Sequence, residues 1–563
     1  MRHLLILVMA LAVATLGTAQ NAQKPVPADS PVYRWLGALY TQQGLAVANR
    51  YQPYTAAQVG ELLIPFDPQD PLVLAIQAAL INRPQLTQAL GNGPGLASAT
   101  TWELNPELYW GVGTTSGSWT YAYNDRPPSV RLLTELWLFD GLYAGSDLQI
   151  KKDPFVVLDQ AQPVSNVPDQ VAQLDFEWPY WAGLVAGGLH WDARFFRSDA
   201  SFAVSQWNLI LSKDAGEVDQ LALSTWWNDL SYTFLWVPLD NTKVSSWPAT
   251  GYPSTAENDS SNVIPYDQSK NFIVHRLQFR PSPAWSVAVT ELVMFEGAVF
   301  DPRYFNPLVP SHNWFVSLNA NPDISLELEG SPLPGWTVWG QWYGDYIKTA
   351  FKDELYGDPT PAAFGYLAGT RMSGRLSGVV VTAEAEGVLT DPFLYLNNHV
   401  NMIKTWRYLS NYGTPGRRMI DTPLGFEGGP DTIAVRSEVS AESPGFWRAN
   451  LGFPFQVKGE NTIRTIHPLQ QHAWSVAEEA NPLYNHPELY QGLVTPTGTP
   501  EWKQGVTVGL EFQREGLKSL GLLLGSSGQL GVQSTLSVIW NKGHVLAGPV
   551  LDWQSALMWR NAF

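Results

Sequence analysis

A membrane-spanning antiparallel β-barrel is the fold class this sequence predicts, all-β apart from a short helical region near the N-terminus. Three observations lead there. Charged residues make up 15% of the 563 residues, while Trp, Tyr and Phe number 25, 22 and 23; ordinary soluble proteins carry ~25% charged residues. The N-terminus has the form of an export signal. From about residue 100 onward, apolar residues recur with period two. After the signal no stretch is long and apolar enough for a membrane helix; the best, 72–81, is interrupted by Gln77. A closed barrel satisfies every backbone group inside lipid without a long apolar run.

The export signal reads in three parts. Arg2 and His3 form a basic n-region, Leu4 to Leu16 an apolar h-region, and Gly17-Thr18-Ala19 a small-residue cleavage site. Residues 1–19 are therefore expected to be a signal peptide. The chain has no Cys, which excludes disulfides, thiolate metal sites, Cys nucleophiles and lipoprotein processing. Residues 20–29 are polar and Pro-containing and are expected to be a disordered lead. A periplasmic helical subdomain, bundle or plug, is expected over 30–98. Ser30-Pro31 starts a first helix that Gly44 can end. Thr55 and Gln58 make a capping box for a second, and Asp70-Pro71 opens a third.

Residues 99–563 are assigned to the barrel. Tyr232, Phe234 and Trp236 alternate with Ser231, Thr233 and Leu235. Trp336, Val338, Gly340 and Trp342 alternate with Thr337, Trp339, Gln341 and Tyr343. Val379, Val381, Ala383 and Ala385 alternate with Val380, Thr382, Glu384 and Glu386, and Leu536, Val538 and Trp540 with Thr535, Ser537 and Ile539. One face suits lipid, the other a polar lumen, and the many Trp suit the headgroup boundary. Five interruptions, 153–169, 239–268, 351–362, 396–427 and 443–501, are expected to be mostly outer loops. At ~10 residues per strand the remainder holds about 16–20 strands. Leu557, Trp559 and Phe563 fall on one face of the last segment and form the expected barrel-assembly signal, read by the assembly machinery; Asn561 departs from it.

Catalytic patterns are missing from the sequence. There is no Gly-x-Ser-x-Gly elbow, phosphate-binding glycine loop or His-Glu-x-x-His. The nine His are scattered without helical ligand spacing. No enzyme activity, cofactor or metal is expected. A net charge of −17 argues against nucleic acid as a partner. Glu384 and Glu386 share a strand face and are read as lumen lining opposite Arg residues such as Arg371 and Arg375, rather than as a catalytic pair. The stretch from Glu291 to Asn313 is unusual. It opens as a strand over 287–295, then Pro302, Pro307 and Pro310 exclude a ladder. Its Glu291, Arg303, Tyr304, Asn306, His312 and Asn313 suit either a polysaccharide-binding site or a lumen-plugging network.

Several stretches resemble the Wzi-like capsule-assembly outer-membrane barrel family, including its uncharacterised spirochaete-type relatives. They are Tyr33–Gly44 with Pro53-Tyr54-Thr55, Asn208–Ala215 with Asp219–Leu223, and Glu291 with Asn306-Pro307-Leu308 and His312-Asn313. Phe364–Gly369, Asp391–Tyr395, Pro423–Phe426 and Gly429-Pro430-Asp431 complete the set. Phe202–Gln206 stands where the family's Trp-Gly-Pro-Gly type turn is expected. The resemblance implies 18 strands, a periplasmic helical bundle, and a non-catalytic, lectin-like role in attaching capsular polysaccharide at the bacterial outer membrane, with lipid around the barrel. A porin-like channel for small solutes is the alternative, and a barrel hydrolase the weakest reading.

Overall fold

The computed structural model describes residues 23–81, 96–112, 128–138, 141–153, 165–186, 190–239, 242–244, 263–265, 269–297, 304, 320–346, 363–396, 400–410, 416–463, 465, 492–522 and 527–562. Eighteen antiparallel strands close into one barrel. Strand β1 runs as Leu96–Leu104 and Glu107–Val112, broken at Pro106. Then follow β2 (Val130–Leu138), β3 (Leu142–Lys152) and β4, whose two pieces, Leu174–Glu177 and Tyr180–Ala186, flank Pro179. Both breaks sit at a proline, which cannot donate to a ladder. Next come β5 (His190–Ser198), β6 (Val218–Trp227), β7 (Leu230–Leu239), β8 (Ser269–Ser282) and β9 (Trp285–Gly297). The wall continues through β10 (Ala320–Leu333), β11 (Trp336–Tyr346), β12 (Ala363–Leu376), β13 (Val379–Thr390) and β14 (Thr432–Ser443). It ends with β15 (Trp447–Lys458), β16 (Glu501–Phe512), β17 (Ser527–Trp540) and β18 (Val550–Ala562). Closure comes from β1 pairing with both β2 and β18, with Glu103 opposite Ala562 and Val112 opposite Trp553.

The period-two pattern is realised as wall geometry. Leu326 and Leu328 of β10, Val506, Val508 and Leu510 of β16, and Leu536 and Trp540 of β17 are exposed on the outer face. Thr337, Gln341 and Glu386 are buried inside. Among the described residues no helix is long and apolar enough to cross a membrane; strands make the crossing. Short turns such as 228–229, 283–284, 334–335 and 377–378 lie at one end and long connections at the other. In outer-membrane barrels the short-turn end faces the periplasm.

The helical segment fills the short-turn mouth. Helix α1 (Val32–Gln43) ends at Gly44, whose φ of 71° is the left-handed conformation that glycine supplies. Helix α2 (Ala56–Leu62) carries the full Thr55–Gln58 capping box. Asp70 accepts from the Leu72 backbone at 2.8 Å to open α3 (Pro71–Ile81). Their apolar faces form one cluster that also takes in Val380 of the wall. Polar groups of α1 reach the inner surface: Trp35 Nε1 donates to Glu442 at 2.9 Å, and Thr41 bonds Thr337 at 2.8 Å.

Three expectations differ from the structure. Residues 23–29 are packed rather than a disordered lead. Lys24 meets the buried Glu135 at 2.7 Å, Val26 joins the helical cluster, and Pro25 bridges Thr55; composition does not reveal such a partner on the distant wall. The barrel begins at Leu96, inside the expected helical stretch. The interruption 443–501 contains strand β15, where Pro454 and Gly452 masked an alternation of outward Leu451 and Phe453 with inward Arg448 and Asn450. The signal peptide (1–19) and Phe563 lie outside the described residues.

Candidate functional site

Two outer connections dip into the barrel, and the first meets the helical segment. The first, 199–217, buries Phe202, Leu209, Ile210 and Leu211 completely. Gln52, between α1 and α2, exchanges two backbone hydrogen bonds with Ser201 (2.9 and 3.2 Å), and the Tyr51 ring lies 5.6 Å from Phe202. The second runs from Asp391 to Asp431. Its Tyr395 hydroxyl donates to the Leu209 carbonyl at 2.9 Å and accepts from the Phe426 amide at 3.1 Å. A Cβ on Gly425 would stand 2.3 Å from the Leu209 carbonyl oxygen, so only glycine fits. The apolar cluster built this way joins both loops to wall residues Phe272, Leu292, Trp339 and Val388. On this side the described residues fill the lumen with packed apolar side chains, and the helical segment covers the short-turn mouth.

The outer loops are tied down by carboxylates. Asp391 accepts from the Phe364 amide at 2.9 Å, and burial pushes its carboxyl above the usual carboxylate range. Asp431, at φ 57°, accepts from the amides of Thr497 (3.0 Å) and Asn461 (3.1 Å). Lys404, on a hairpin formed by 403–410 and 416–423, donates to the carbonyls of Ala215 and Glu217. Burial pushes Lys404 down to about 7 and raises the Glu217 carboxyl well above its ordinary value. The stretches 208–215, 364–369, 391–395 and 423–431, which carry the family resemblance, thus converge on one piece of the molecule.

Glu384 and Glu386 line the lumen as expected. Glu384 is paired with Arg371 and with Arg436, and Glu386 accepts from Arg436 at 3.2 Å and Trp339 Nε1 at 3.0 Å. Arg375 instead holds Asp70 of the helical segment at 2.7 Å. Buried carboxylates matched by guanidinium groups in this way fix geometry rather than offer a reactive acid.

Beside the plug remains a polar cavity of about 790 Å³. It reaches from Pro27 and Arg514 at the short-turn end to Lys213 and Glu217 near the outer end. Its charges are largely paired: Arg131 with Asp147 and Glu103, Lys151 with Glu177, and Arg197 with Asp219.

Of the loop residues singled out by sequence, Glu291 and Tyr304 are described, and Arg303, Asn306, His312 and Asn313 lie outside the described residues. Glu291 stands opposite His275 on the outward face of the wall, the face that exposes Leu277 and Phe279. Tyr304 covers that face: its ring stacks on Phe295 at 4.4 Å in a cluster with Phe234, Ile273 and Val293. These two residues therefore form no lumen network. Sequence reasoning missed the inward loop at 199–217. Its signal was Leu209-Ile210-Leu211, an apolar run without alternation, which has no place in a barrel strand. Leu557 and Trp559 do share the strand β18 that closes the barrel.

No family model and no curated protein matches the sequence. Among solved structures the chain is similar to Wzi, described as an outer-membrane protein involved in group 1 capsule assembly in Escherichia coli and as a carbohydrate-binding β-barrel. The TM-score is 0.53 at 11% identity, over 95% of this chain and 98% of that one. Weaker likenesses are OccK3 of Pseudomonas aeruginosa (TM-score 0.38, 10% identity, 83% and 95% covered) and OprD of the same organism (0.39, 7%, 83% and 95%). The likeness to Wzi supports the fold of an outer-membrane β-barrel.

Proposed function

We propose that this protein is a non-catalytic outer-membrane barrel that holds or organises a capsular or other surface polysaccharide. The observation that carries the reading is the occlusion of the lumen by the loops 199–217 and 391–431 against the helical segment. A barrel filled by a well-packed apolar cluster is unsuited to wide passage and places its working surface on the outer loops. The likeness to a capsule-assembly barrel supports the same reading. Arg303, Asn306, His312 and Asn313 are the proposed polysaccharide contacts on the loop after β9. Membrane lipid and the barrel-assembly machinery, through Leu557, Trp559 and Phe563, are the other proposed partners, after export by the signal at 1–19.

A gene deletion tests this. Cells lacking the protein should shed polysaccharide that wild-type cells retain, and re-expression should restore retention. Equal cell-bound polysaccharide in both strains would overturn the proposal. A second reading, a narrow channel for small polar solutes, rests on the charged cavity beside the plug. It predicts defective solute uptake with polysaccharide retained.

A further inference from the structure

Asp323 and Asp345 sit at the outer ends of β10 and β11. The register that pairs Ile324 with Gly344 sets them across from each other. They are 2% and 5% exposed. Their four carboxylate oxygens meet three donors. Asn321 Nδ2 gives to Asp345 Oδ1 at 2.8 Å, the Tyr395 amide to Asp345 Oδ2 at 2.7 Å, and the Tyr343 hydroxyl to Asp323 Oδ2 at 2.6 Å. The fourth oxygen, Asp323 Oδ1, is buried with no donor, and the register places the two carboxyl groups side by side on adjacent strands. Among the described residues no Lys, Arg or His pairs with either. Among the described residues the titratable neighbours are Tyr343 on β11 and Tyr395 on the inward loop, phenols with ordinary values of ~10.

Two adjacent carboxylates cannot both stay ionised in a dry site without a counter-charge. A hard divalent cation would want ~6–8 oxygen ligands, and three of these four oxygens are already turned toward N–H and O–H donors. One proton completes the count. We propose that Asp323 and Asp345 share a single proton and form a pH-sensitive lock on the lumen plug. The lock is mechanical because the Tyr395 amide is one of the three donors, and the Tyr395 hydroxyl grips Leu209 and Phe426. When the shared proton leaves Asp323 Oδ1 for water, the pair becomes doubly negative, and the charge is relieved by releasing Tyr395 and admitting water.

The sign follows from linkage. With the loop docked the pair keeps a proton that water-exposed aspartates, with values of ~3.9, do not keep. The docked state therefore binds more protons, and docking weakens as pH rises. The loss is about tenfold per pH unit from about pH 4 up to the point where the pair gives up its proton. This lock stands whether or not the plugged barrel holds a polysaccharide.

Hydrogen exchange of the 391–396 segment in the purified, membrane-embedded barrel tests it, corrected for the intrinsic pH dependence of exchange. Wild-type protection should fall about tenfold per unit between pH 5 and 7. Asp323→Asn, whose carboxamide supplies a permanent N–H to Asp345, should show a flat profile with the loop docked throughout. Equal slopes in both proteins, or no slope in the wild type, would overturn the lock. Wild-type protection that rises with calcium and collapses on chelation would also overturn it, in favour of a bound cation. If Asp323→Asn fails to assemble, infrared spectra of the wild type decide: a carboxylic-acid carbonyl band must be present at pH 5, persist through the window in which protection falls, and vanish where that fall levels off. No such band would refute the proposal.

Discussion

Removing Glu329 should unseat the N-terminal segment from the barrel while leaving the barrel itself intact. Arg50, between α1 and α2, is 7% exposed and Glu329 on the inner face of β10 is 5% exposed. The guanidinium makes a two-pronged pair, with Nε 2.7 Å from Oε2 and Nη2 on Oε1. The Gln278 side-chain oxygen accepts from the Arg50 backbone amide at 3.1 Å. In Glu329→Ala the guanidinium is left buried without a counter-charge, a change that costs about 3–5 kcal/mol. At 1.4 kcal/mol per tenfold, this is a loss of roughly a hundred- to a few-thousand-fold in the docking equilibrium. Hydrogen exchange over residues 45–55 should lose protection by that factor, and heat-modifiable migration on unheated gels should be unchanged. The double variant Arg50→Met/Glu329→Leu should recover most of the loss, since replacing both members of a buried pair by apolar groups is often neutral or stabilising by about 1–4 kcal/mol. Wild-type protection in Glu329→Ala would refute the claim that this pair holds the segment. So would a double variant as loose as the single one.

Other outcomes follow from the same geometry. Gly425→Ala drives a methyl into the Leu209 carbonyl and should weaken protection of 208–211 at a cost of about 1–3 kcal/mol, read by exchange with membrane insertion intact. Tyr304→Ala deletes a fully packed ring from the outward cluster and should lower thermal stability by about 3–5 kcal/mol with polysaccharide retention unchanged. Asn306→Ala should do the reverse, lowering retention at normal stability. Deleting Phe563 should reduce outer-membrane insertion and leave periplasmic aggregate, measured by fractionation; wild-type insertion would show that this terminus is not used in assembly.

Much of the barrel was legible because period two is a direct print of wall geometry. Trp336 to Tyr343 declared its outer and inner faces residue by residue, and Glu384 and Glu386 declared the lumen. The caps at Thr55–Gln58 and Gly44 were equally local. What stayed hidden depends on partners far along the chain. Lys24 is polar in a polar stretch, and only the distant Glu135 makes it a packed residue. Arg50 with Glu329, and Asp345 with Tyr395, are separated by hundreds or tens of residues and leave no local periodicity. Tyr304 stands among polar neighbours in the sequence, and nothing local marks that its ring packs on the outward face of the wall against Phe295.

The central claim is that the barrel is closed to wide passage by its own loops and helices, so that it works at its outer surface. Single-channel recording of the purified protein in planar bilayers tests this directly, with a variant lacking residues 23–81 and shortened in the inward loops 199–217 and 391–431 as the unplugged control. The account predicts a silent or barely conducting wild type and large, stable openings once the whole plug is removed. Large, long-lived openings in the wild type would contradict it and establish a solute channel instead.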